Sequence, residues 1–178
     1  MDSRQREETR MADTDHARFM QLALELAEEA GRQGDVPVGA VLVRDGQVIA
    51  SACNRRERDH DPLGHAEMLI LRDISTTLDR WNLQGCTLYV TLEPCPMCAS
   101  ALVMSRLPFC VFGTCDAQKG CFGSVYDFAH DPLFQSVTEW DSGTMEKACR
   151  EQLQAFFRRR RSSGKNTAES VRTDAPDA

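Results

Sequence analysis

The chain has 178 residues and a mass of 19.9 kDa, which favours one folded domain over two. Hydrophobic residues make up 42% of it and charged residues 27%, so the composition excludes a chain that is disordered throughout. The formal net charge of -6 argues against a surface that is positive everywhere, and the longest apolar stretch, Val36 to Val43, is far shorter than the roughly 18 residues of a membrane span.

The two ends of the chain differ in composition from its middle. Residues 1–14 alternate acids and arginines, and residues 162–178 are dominated by Ser, Thr, Asp, Ala and Pro. Both ends offer little apolar surface to bury, so we expect them to be disordered and the domain to span residues 15–161. The first segment also lacks the apolar middle region of a signal peptide, and we therefore expect the protein to stay in the cytoplasm.

The first part of the domain is predicted to form one helix and two strands. From Asp15 to Ala30, apolar residues recur at three- and four-residue steps, which indicates an amphipathic helix that begins at Thr14 or Asp15. Two β-prone runs follow, Val38 to Val43 and Val48 to Cys53. The Asp-Gly pair between them predicts an antiparallel hairpin.

The second part alternates strands and helices. The polar segment 54–64 is followed by helical periodicity from His65 onward. The later predicted elements are a strand at Leu88 to Leu92, a helix starting at Pro94 to Pro96, strands at Phe109 to Gly113 and near Ser136 to Trp140, and a helix from Thr144 to about Arg161. Such alternation predicts an α/β fold, with a sheet that has parallel members and is covered on both faces.

Eight cysteines raise the question of disulfides. Because the chain shows no export signal and most of the cysteines lie in apolar segments, we expect reduced thiols. Four of them are expected to be small buried hydrophobic residues: Cys53, Cys86, Cys110 and Cys149.

His65, Cys95 and Cys98 form a candidate zinc site. Zinc prefers thiolate and imidazole ligands, and Cys-x-x-Cys at the start of a helix can place both sulfurs on one ion. Helix N-termini favour the thiolate form of cysteine. Three protein ligands leave a fourth position open for a water, whose pKa falls to about 7 on zinc. The alternative is a structural zinc held by four cysteines, namely Cys95, Cys98, Cys110 and Cys115, with Cys121 as a spare.

Glu67 lies two positions after His65, so the two side chains point in different directions on a helix. Glu67 is then free to carry a proton between a metal-bound water and a substrate nitrogen, which is what the displacement of an amine by water requires. The simpler interpretation is an acid in the first helical turn that the helix dipole favours.

The segments His65-Ala66-Glu67 and Pro94-Cys95-Pro96-Met97-Cys98 resemble the zinc-dependent nucleoside and nucleobase deaminases. Further landmarks resemble the bacterial tRNA adenosine deaminases within that superfamily, from Val36-Pro37-Val38 to Phe156-Phe157-Arg158. The resemblance implies the cytidine deaminase-like three-layer α/β/α sandwich with a mixed sheet. It also implies one Zn²⁺ per subunit, a homodimer, and conversion of adenosine to inosine at the wobble position of a tRNA anticodon.

The resemblance also implies site residues. Zinc-bound hydroxide would add to C6 of a flipped-out adenine while Glu67 moves protons, and Asn54 would hydrogen-bond the base. Backbone N–H groups at Ala66 and near Cys95 would orient the water or the base. Pro37 and Asp116 lie in matching segments and are expected to border the substrate.

The arginine run Arg158 to Arg161 is the strongest local charge in the chain. Residues 150–165 carry six basic residues and one acidic residue, against an acidic remainder. Arg160 and Arg161, beside the aromatic pair Phe156-Phe157, are expected to attract the phosphates of the tRNA anticodon stem-loop. The alternative is a solvated helix end, where cations suit the dipole.

Two other functions stay open at this stage. One is deamination of a free nucleobase or nucleotide, of the cytosine or guanine type, with the same chemistry. The other is a non-catalytic RNA-binding module with a structural zinc.

Overall fold

A computed structural model gives the fold, and it describes the backbone of residues 3–170 and the side chains of residues 15–74 and 77–162. The elements in chain order are α1 (Ser3–Arg32), β1 (Gly39–Arg44), β2 (Gln47–Cys53), α2 (Ala66–Leu78), β3 (Cys86–Leu92), α3 (Pro96–Met104), β4 (Phe109–Thr114), β5 (Glu139–Ser142) and α4 (Glu146–Ser170). One turn of 3-10 helix, Pro132–Phe134, lies between β4 and β5.

The five strands form one mixed sheet in the order β2-β1-β3-β4-β5. Strand β1 runs antiparallel to both β2 and β3, whereas β3, β4 and β5 are parallel to one another. In the centre of the sheet, Val90 pairs with Ala40 on one side and with Phe112 on the other. The predicted hairpin and the predicted mixed α/β sheet are both confirmed.

Helices cover both faces of the sheet, and alternate strand residues face different helices because successive side chains of a strand point to opposite sides. Leu42, Leu88 and Phe112 belong to the core shared with α2 and α3. Val41 and Val111 belong to the core shared with α1 and α4. The molecule is therefore the expected α/β/α sandwich.

Helix α4 packs directly on β4 at Gly113. A Cβ atom at this position would lie 2.2 Å from Cys149 Sγ and 2.9 Å from the carbonyl oxygen of Thr91. Only glycine allows this approach of helix and strand. The contact fixes the N-terminal part of α4 and thereby the direction in which its arginine-rich half extends.

The three largest differences between predicted and observed element bounds concern α1, α4 and β5. Helix α1 begins at Ser3 rather than at Thr14 or Asp15, because the arginines and glutamates before Asp15 are good helix formers. Helix α4 continues past Arg161 to Ser170. Strand β5 begins at Glu139, where pairing with Phe109 of β4 sets its register.

Disorder of residues 1–14 and 162–178 remains a prediction, and residues 1–2 and 171–178 lie outside the described residues. Within the described part of the chain, no helix has the length and apolar character needed to cross a membrane.

Candidate active site

The candidate site lies at the edge of the sheet where β2, β3 and β4 end. His65 is the N-cap of α2, which follows β2, and Cys95 is the N-cap of α3, which follows β3 directly. Cys98 lies in the first turn of α3, so both sulfurs face the edge at which α2 begins. Pro96 at the first helical position is preorganised for the helix and has no N–H to satisfy. Two helix starts thus bring the predicted metal ligands together.

The three ligand atoms are close to one another, and we call His65, Cys95 and Cys98 the ligand cluster. His65 Nδ1 lies 3.6 Å from Cys95 Sγ and 3.5 Å from Cys98 Sγ, and the two sulfurs are 3.6 Å apart. A tetrahedral zinc ion with ordinary bond lengths separates two sulfurs by about 3.8 Å and a sulfur from a nitrogen by about 3.6 Å. The donor types and the distances therefore both fit zinc.

The electrostatics of the ligand cluster favour a thiolate at Cys95. Hydrogen bonds to Cys98, which has the largest effect, and to His65 together lower the pKa of Cys95 to about 4. The same sulfur–sulfur contact, together with burial, raises the pKa of the Cys98 thiol. Thiolate is the form that binds metal, so the lowered pKa of Cys95 favours metal binding at this site.

The alternative site of four cysteines is wrong. Cys110 is buried within β4, where burial raises its pKa well above the usual value, and Cys115 is exposed after the end of β4. Among the side chains that the structure describes, His65, Cys95 and Cys98 are the one group of three or more potential ligands close enough to share an ion. The strand geometry of β4 keeps Cys110 in the core.

Glu67 lies beside the ligand cluster, in the first turn of α2, and is only 4% exposed. Burial raises the pKa of its carboxyl group, and the negative charge of Cys95 raises it further. Its side chain borders the same cavity as His65 and Cys95. The carboxyl group therefore has the place and the proton affinity that a proton carrier needs.

A cavity of about 900 Å³ opens above the ligand cluster. Its walls come from the loop between β2 and α2, the loop after β4, and one face of α4. The polar, charged and aromatic residues of the lining include Asn54, Arg56, Glu57, His65, Glu67, Glu93, Cys95, Cys115, Asp116, Lys119, Arg150, Phe157, Arg158 and Arg161, and Ala66 lines it as well. A space of this size can take a nucleotide-sized group.

Asn54 and Ala66, two of the predicted substrate contacts, line this cavity. Asn54 Nδ2 donates to the carbonyl oxygen of Val36 at 3.1 Å, and its Oδ1 accepts from the backbone N–H of Arg56 at 3.3 Å. The amide group is thus held at the cavity wall and keeps one N–H and one lone pair beyond these two bonds.

The two remaining predicted contacts outside the arginine run, Asp116 and Pro37, differ in position. Asp116 lines the cavity, and its Oδ1 accepts from the N–H groups of Gln118 and Lys119, which shapes the loop. Pro37 is buried and borders a different cavity of about 260 Å³, together with Gln152 and Arg159. The structure does not bring Pro37 to the ligand cluster.

The arginine run is divided by the helix that carries it. Arg158 and Arg161 line the large cavity, whereas Arg159 borders the smaller one. Arg160 lies over the ring of Phe156, 5.9 Å from its centroid, and is not among the residues that line the large cavity. Successive helical residues point about 100° apart, so a run of four arginines cannot face one site.

The sequence alone did not assign two further cationic residues of the cavity. Arg56 and Lys119 join Arg158 and Arg161, and we call these four exposed residues the cationic rim. None of the four forms an ion pair with another described side chain. Residues 150, 154, 157 and 161 are three or four positions apart, so they lie on one face of α4. This spacing is the signal in the sequence that indicates which face lines the cavity.

The family model for the cytidine and deoxycytidylate deaminase zinc-binding region matches residues 13–114. The chain belongs to this deaminase family. The match covers both segments of the ligand cluster and Glu67, and the predicted resemblance is confirmed.

Two relatives are similar over most of the chain. The tRNA-specific adenosine deaminase of Bacillus subtilis is 44% identical over 147 residues, which cover 83% of this chain and 91% of that protein. The tRNA-specific adenosine deaminase of Aquifex aeolicus is 39% identical over 145 residues, which cover 82% and 95%.

The fold is also similar to solved deaminase structures. A structure from a study of A-to-I editing by tRNA:A34 deaminases at the wobble position of transfer RNA has a TM-score of 0.73 and 39% identity, covering 76% of this chain and 98% of that one. A guanine deaminase from Nitrosomonas europaea has a TM-score of 0.67 at 22% identity, covering 79% and 83%, and shares the fold.

Proposed function

We propose that the chain hydrolyses adenosine to inosine at the wobble position of a tRNA anticodon. One observation carries this proposal: the ligand cluster and Glu67 border a cavity whose outer side is formed by the cationic rim. Chemistry for removing an amine and charges for attracting a polyanion therefore share one cavity. The similarity to relatives named tRNA-specific adenosine deaminase supports the choice of substrate.

His65, Cys95 and Cys98 would hold one zinc ion per subunit. Three protein ligands leave one tetrahedral position for a water, which is the arrangement of catalytic rather than structural zinc sites. Zinc, when bound, supplies a Lewis acid that makes water a nucleophile at neutral pH. The N-terminus of α3 favours the thiolate form of the cysteine ligands, which is the form that binds a zinc ion.

Glu67 carries the protons of the reaction. Addition of water at C6 of adenine and loss of ammonia require one proton to reach the ring at N1 and another to reach the departing amine. The carboxyl group of Glu67 is buried beside the ligand cluster and has a raised pKa, so it can accept a proton from water and give it to either nitrogen. Adenosine and water are thereby converted to inosine and ammonia.

The cavity wall supplies the contacts to the base. Asn54 keeps one N–H and one lone pair for a base edge, and the backbone N–H of Ala66 lies in the first turn of α2, where helix N–H groups have no helical partner. Asp116 contributes through the shape of its loop. Pro37 lies between α1 and β1 and borders the smaller cavity, so this proposal assigns it no contact with the base.

The cationic rim attracts the phosphates of the anticodon stem-loop. Arg158 and Arg161 lie one helical turn apart on α4, and Phe157, 41% exposed, offers a ring for a neighbouring base. Basic residues that follow the backbone and aromatic rings that stack bases are the usual combination for single-stranded RNA. We also propose that the enzyme is a homodimer and acts in the cytoplasm, as the resemblance implies.

The deciding experiment compares substrates. Purified protein is incubated with unmodified tRNA, with the anticodon stem-loop, and with free bases and nucleosides, and inosine and ammonia are measured. We expect inosine from tRNA and the stem-loop and no product from free bases. Product from free cytosine or guanine but never from tRNA would overturn the proposal.

A second experiment tests the metal. X-ray absorption at the zinc edge should show two sulfurs, one nitrogen and one light atom around the ion. Four sulfurs would indicate a structural site and contradict the enzyme mechanism. Sedimentation of the same preparation tests the homodimer.

A further inference from the structure

Glu93 is a buried acid that the mechanism above does not use. It lies between the end of β3 and the start of α3, two residues before the metal ligand Cys95, and is 2% exposed. None of the described ion pairs includes it. Burial of a carboxylate costs free energy unless hydrogen bonds replace the lost solvation. The hydrogen-bond partners of Glu93 therefore indicate its role.

All the side-chain partners of Glu93 come from one segment, residues 115–124, which we call the wall loop. Oε1 accepts from the backbone N–H groups of Phe122 at 3.0 Å and Ser124 at 3.1 Å. Oε2 accepts from the backbone N–H of Asp116 at 2.9 Å and from the hydroxyl group of Ser124. Four donors from the two ends of one loop converge on a single carboxylate.

The wall loop has a glycine where the carboxylate approaches it. A Cβ atom on Gly120 would lie 2.2 Å from Glu93 Oε2, so any other residue there would collide with the carboxylate. Two backbone bonds continue the attachment on either side: Glu93 donates to the Thr114 carbonyl oxygen, and Cys121 donates to the Pro94 carbonyl oxygen, both at 2.9 Å. The loop is therefore attached to the segment that immediately precedes Cys95.

The attachment matters because residues 115–119 of the wall loop line the large cavity. The distance between this wall and the ligand cluster determines how a base fits over the metal site. We propose that Glu93 is a positioning residue, which sets that distance by binding the wall loop to the β3–α3 junction. The inference rests on the proposed function for its substrate.

The test is Glu93→Gln in the zinc-loaded enzyme. Glutamine has the same shape, but its NH₂ group places a donor opposite an N–H that needs an acceptor. We expect amide hydrogen exchange of Asp116, Phe122 and Ser124 to become at least tenfold faster. The KM for the anticodon stem-loop should rise about tenfold, with a smaller change in kcat and one zinc per chain retained. Ser124→Ala, which removes one of the four bonds, should show smaller effects in the same direction.

Thr138→Val is the matched control. It removes a buried hydrogen bond of similar length, from Thr138 Oγ1 to the Leu107 carbonyl oxygen at 2.8 Å, and neither residue lines the cavity. It should lower the thermal unfolding temperature without changing wall-loop exchange or KM. A merely structural role for Glu93 predicts that both variants behave alike.

Two results would overturn the inference. Unchanged exchange of the wall-loop amides in Glu93→Gln would show that the carboxylate does not hold the loop. Faster exchange with an unchanged KM would show that the loop position does not affect the substrate. Absence of inosine from the wild-type protein would instead overturn the proposed function, and the exchange comparison would then decide alone whether Glu93 positions the loop.

Discussion

The ligand cluster and the cationic rim border the same cavity but are built in opposite ways. The three ligand atoms lie 3.5 to 3.6 Å from one another, on half-buried or buried side chains at two helix starts. The four rim cations are exposed and come from three separate parts of the chain. Metal binding requires fixed distances, whereas attraction of a polyanion acts over a Debye length of about 8 to 10 Å and tolerates loose placement.

Removal of one metal ligand is expected to have the largest effect. Cys98→Ser should lower zinc occupancy well below one ion per chain and reduce inosine formation by at least about a thousandfold, since the proposed zinc would activate the attacking water. Zinc content by atomic absorption and inosine formation from the stem-loop are measured on the same sample. Its matched control is Cys115→Ser, which alters a cysteine of the same cavity that the alternative site would have used as a ligand. Full activity of Cys98→Ser would refute the assignment of the ligand cluster as the metal site needed for activity.

Substitution of Glu67 separates proton transfer from metal binding and is expected to have the next largest effect. Glu67→Gln should retain zinc and fold but lose about 10²- to 10⁴-fold in kcat, because the amide cannot carry the proton. Glu57→Gln changes an exposed glutamate of the same cavity and should leave kcat nearly unchanged. If Glu67→Gln turned over at the wild-type rate, Glu67 would only be an acid that the helix dipole favours.

The ligand cluster could be predicted from the sequence because its information is local. Cys95 and Cys98 lie within one helical turn, and His65 and Glu67 lie at the start of another helix. The pattern therefore identified the residues, and only the meeting of the two helices required the fold. Apolar periodicity marks the packed part of a helix and not its end, which is why the predicted start of α1 is later than the observed one.

The cavity wall could not be predicted in the same way. Helix α4 packs through Cys149 and Phe156, and this packing decides which of the four arginines face the cavity. The sequence of the arginine run does not show which side of the helix that is. The same holds for Glu93, whose hydrogen-bond partners lie at positions 116 to 124. No pattern in the sequence predicts that these residues contact Glu93. Contacts between distant segments were the part that required the structure.

The double variant Arg158→Ala/Arg161→Ala tests the cationic rim. Loss of two phosphate contacts should weaken stem-loop binding roughly tenfold and reduce the slope of log affinity against log salt by about 1 to 2. Fluorescence anisotropy at several salt concentrations measures both. The kcat at saturating stem-loop should change little, because the ligand cluster is untouched. An unchanged salt slope would indicate that these arginines belong to a solvated helix end and do not contact the RNA.

The smallest effect is expected for Arg160→Ala, which tests whether the rim differs from the rest of the run. Arg160 lies over the Phe156 ring, and loss of this cation–π contact should cost about 0.5 to 1 kcal/mol in unfolding free energy. Stem-loop affinity should change by about twofold or less, because only its long-range charge reaches the RNA. If Arg160→Ala reduced the salt slope as much as Arg161→Ala, the run would act as one diffuse field. Recognition would then depend on the total charge of α4 and not on the side of the helix that borders the cavity.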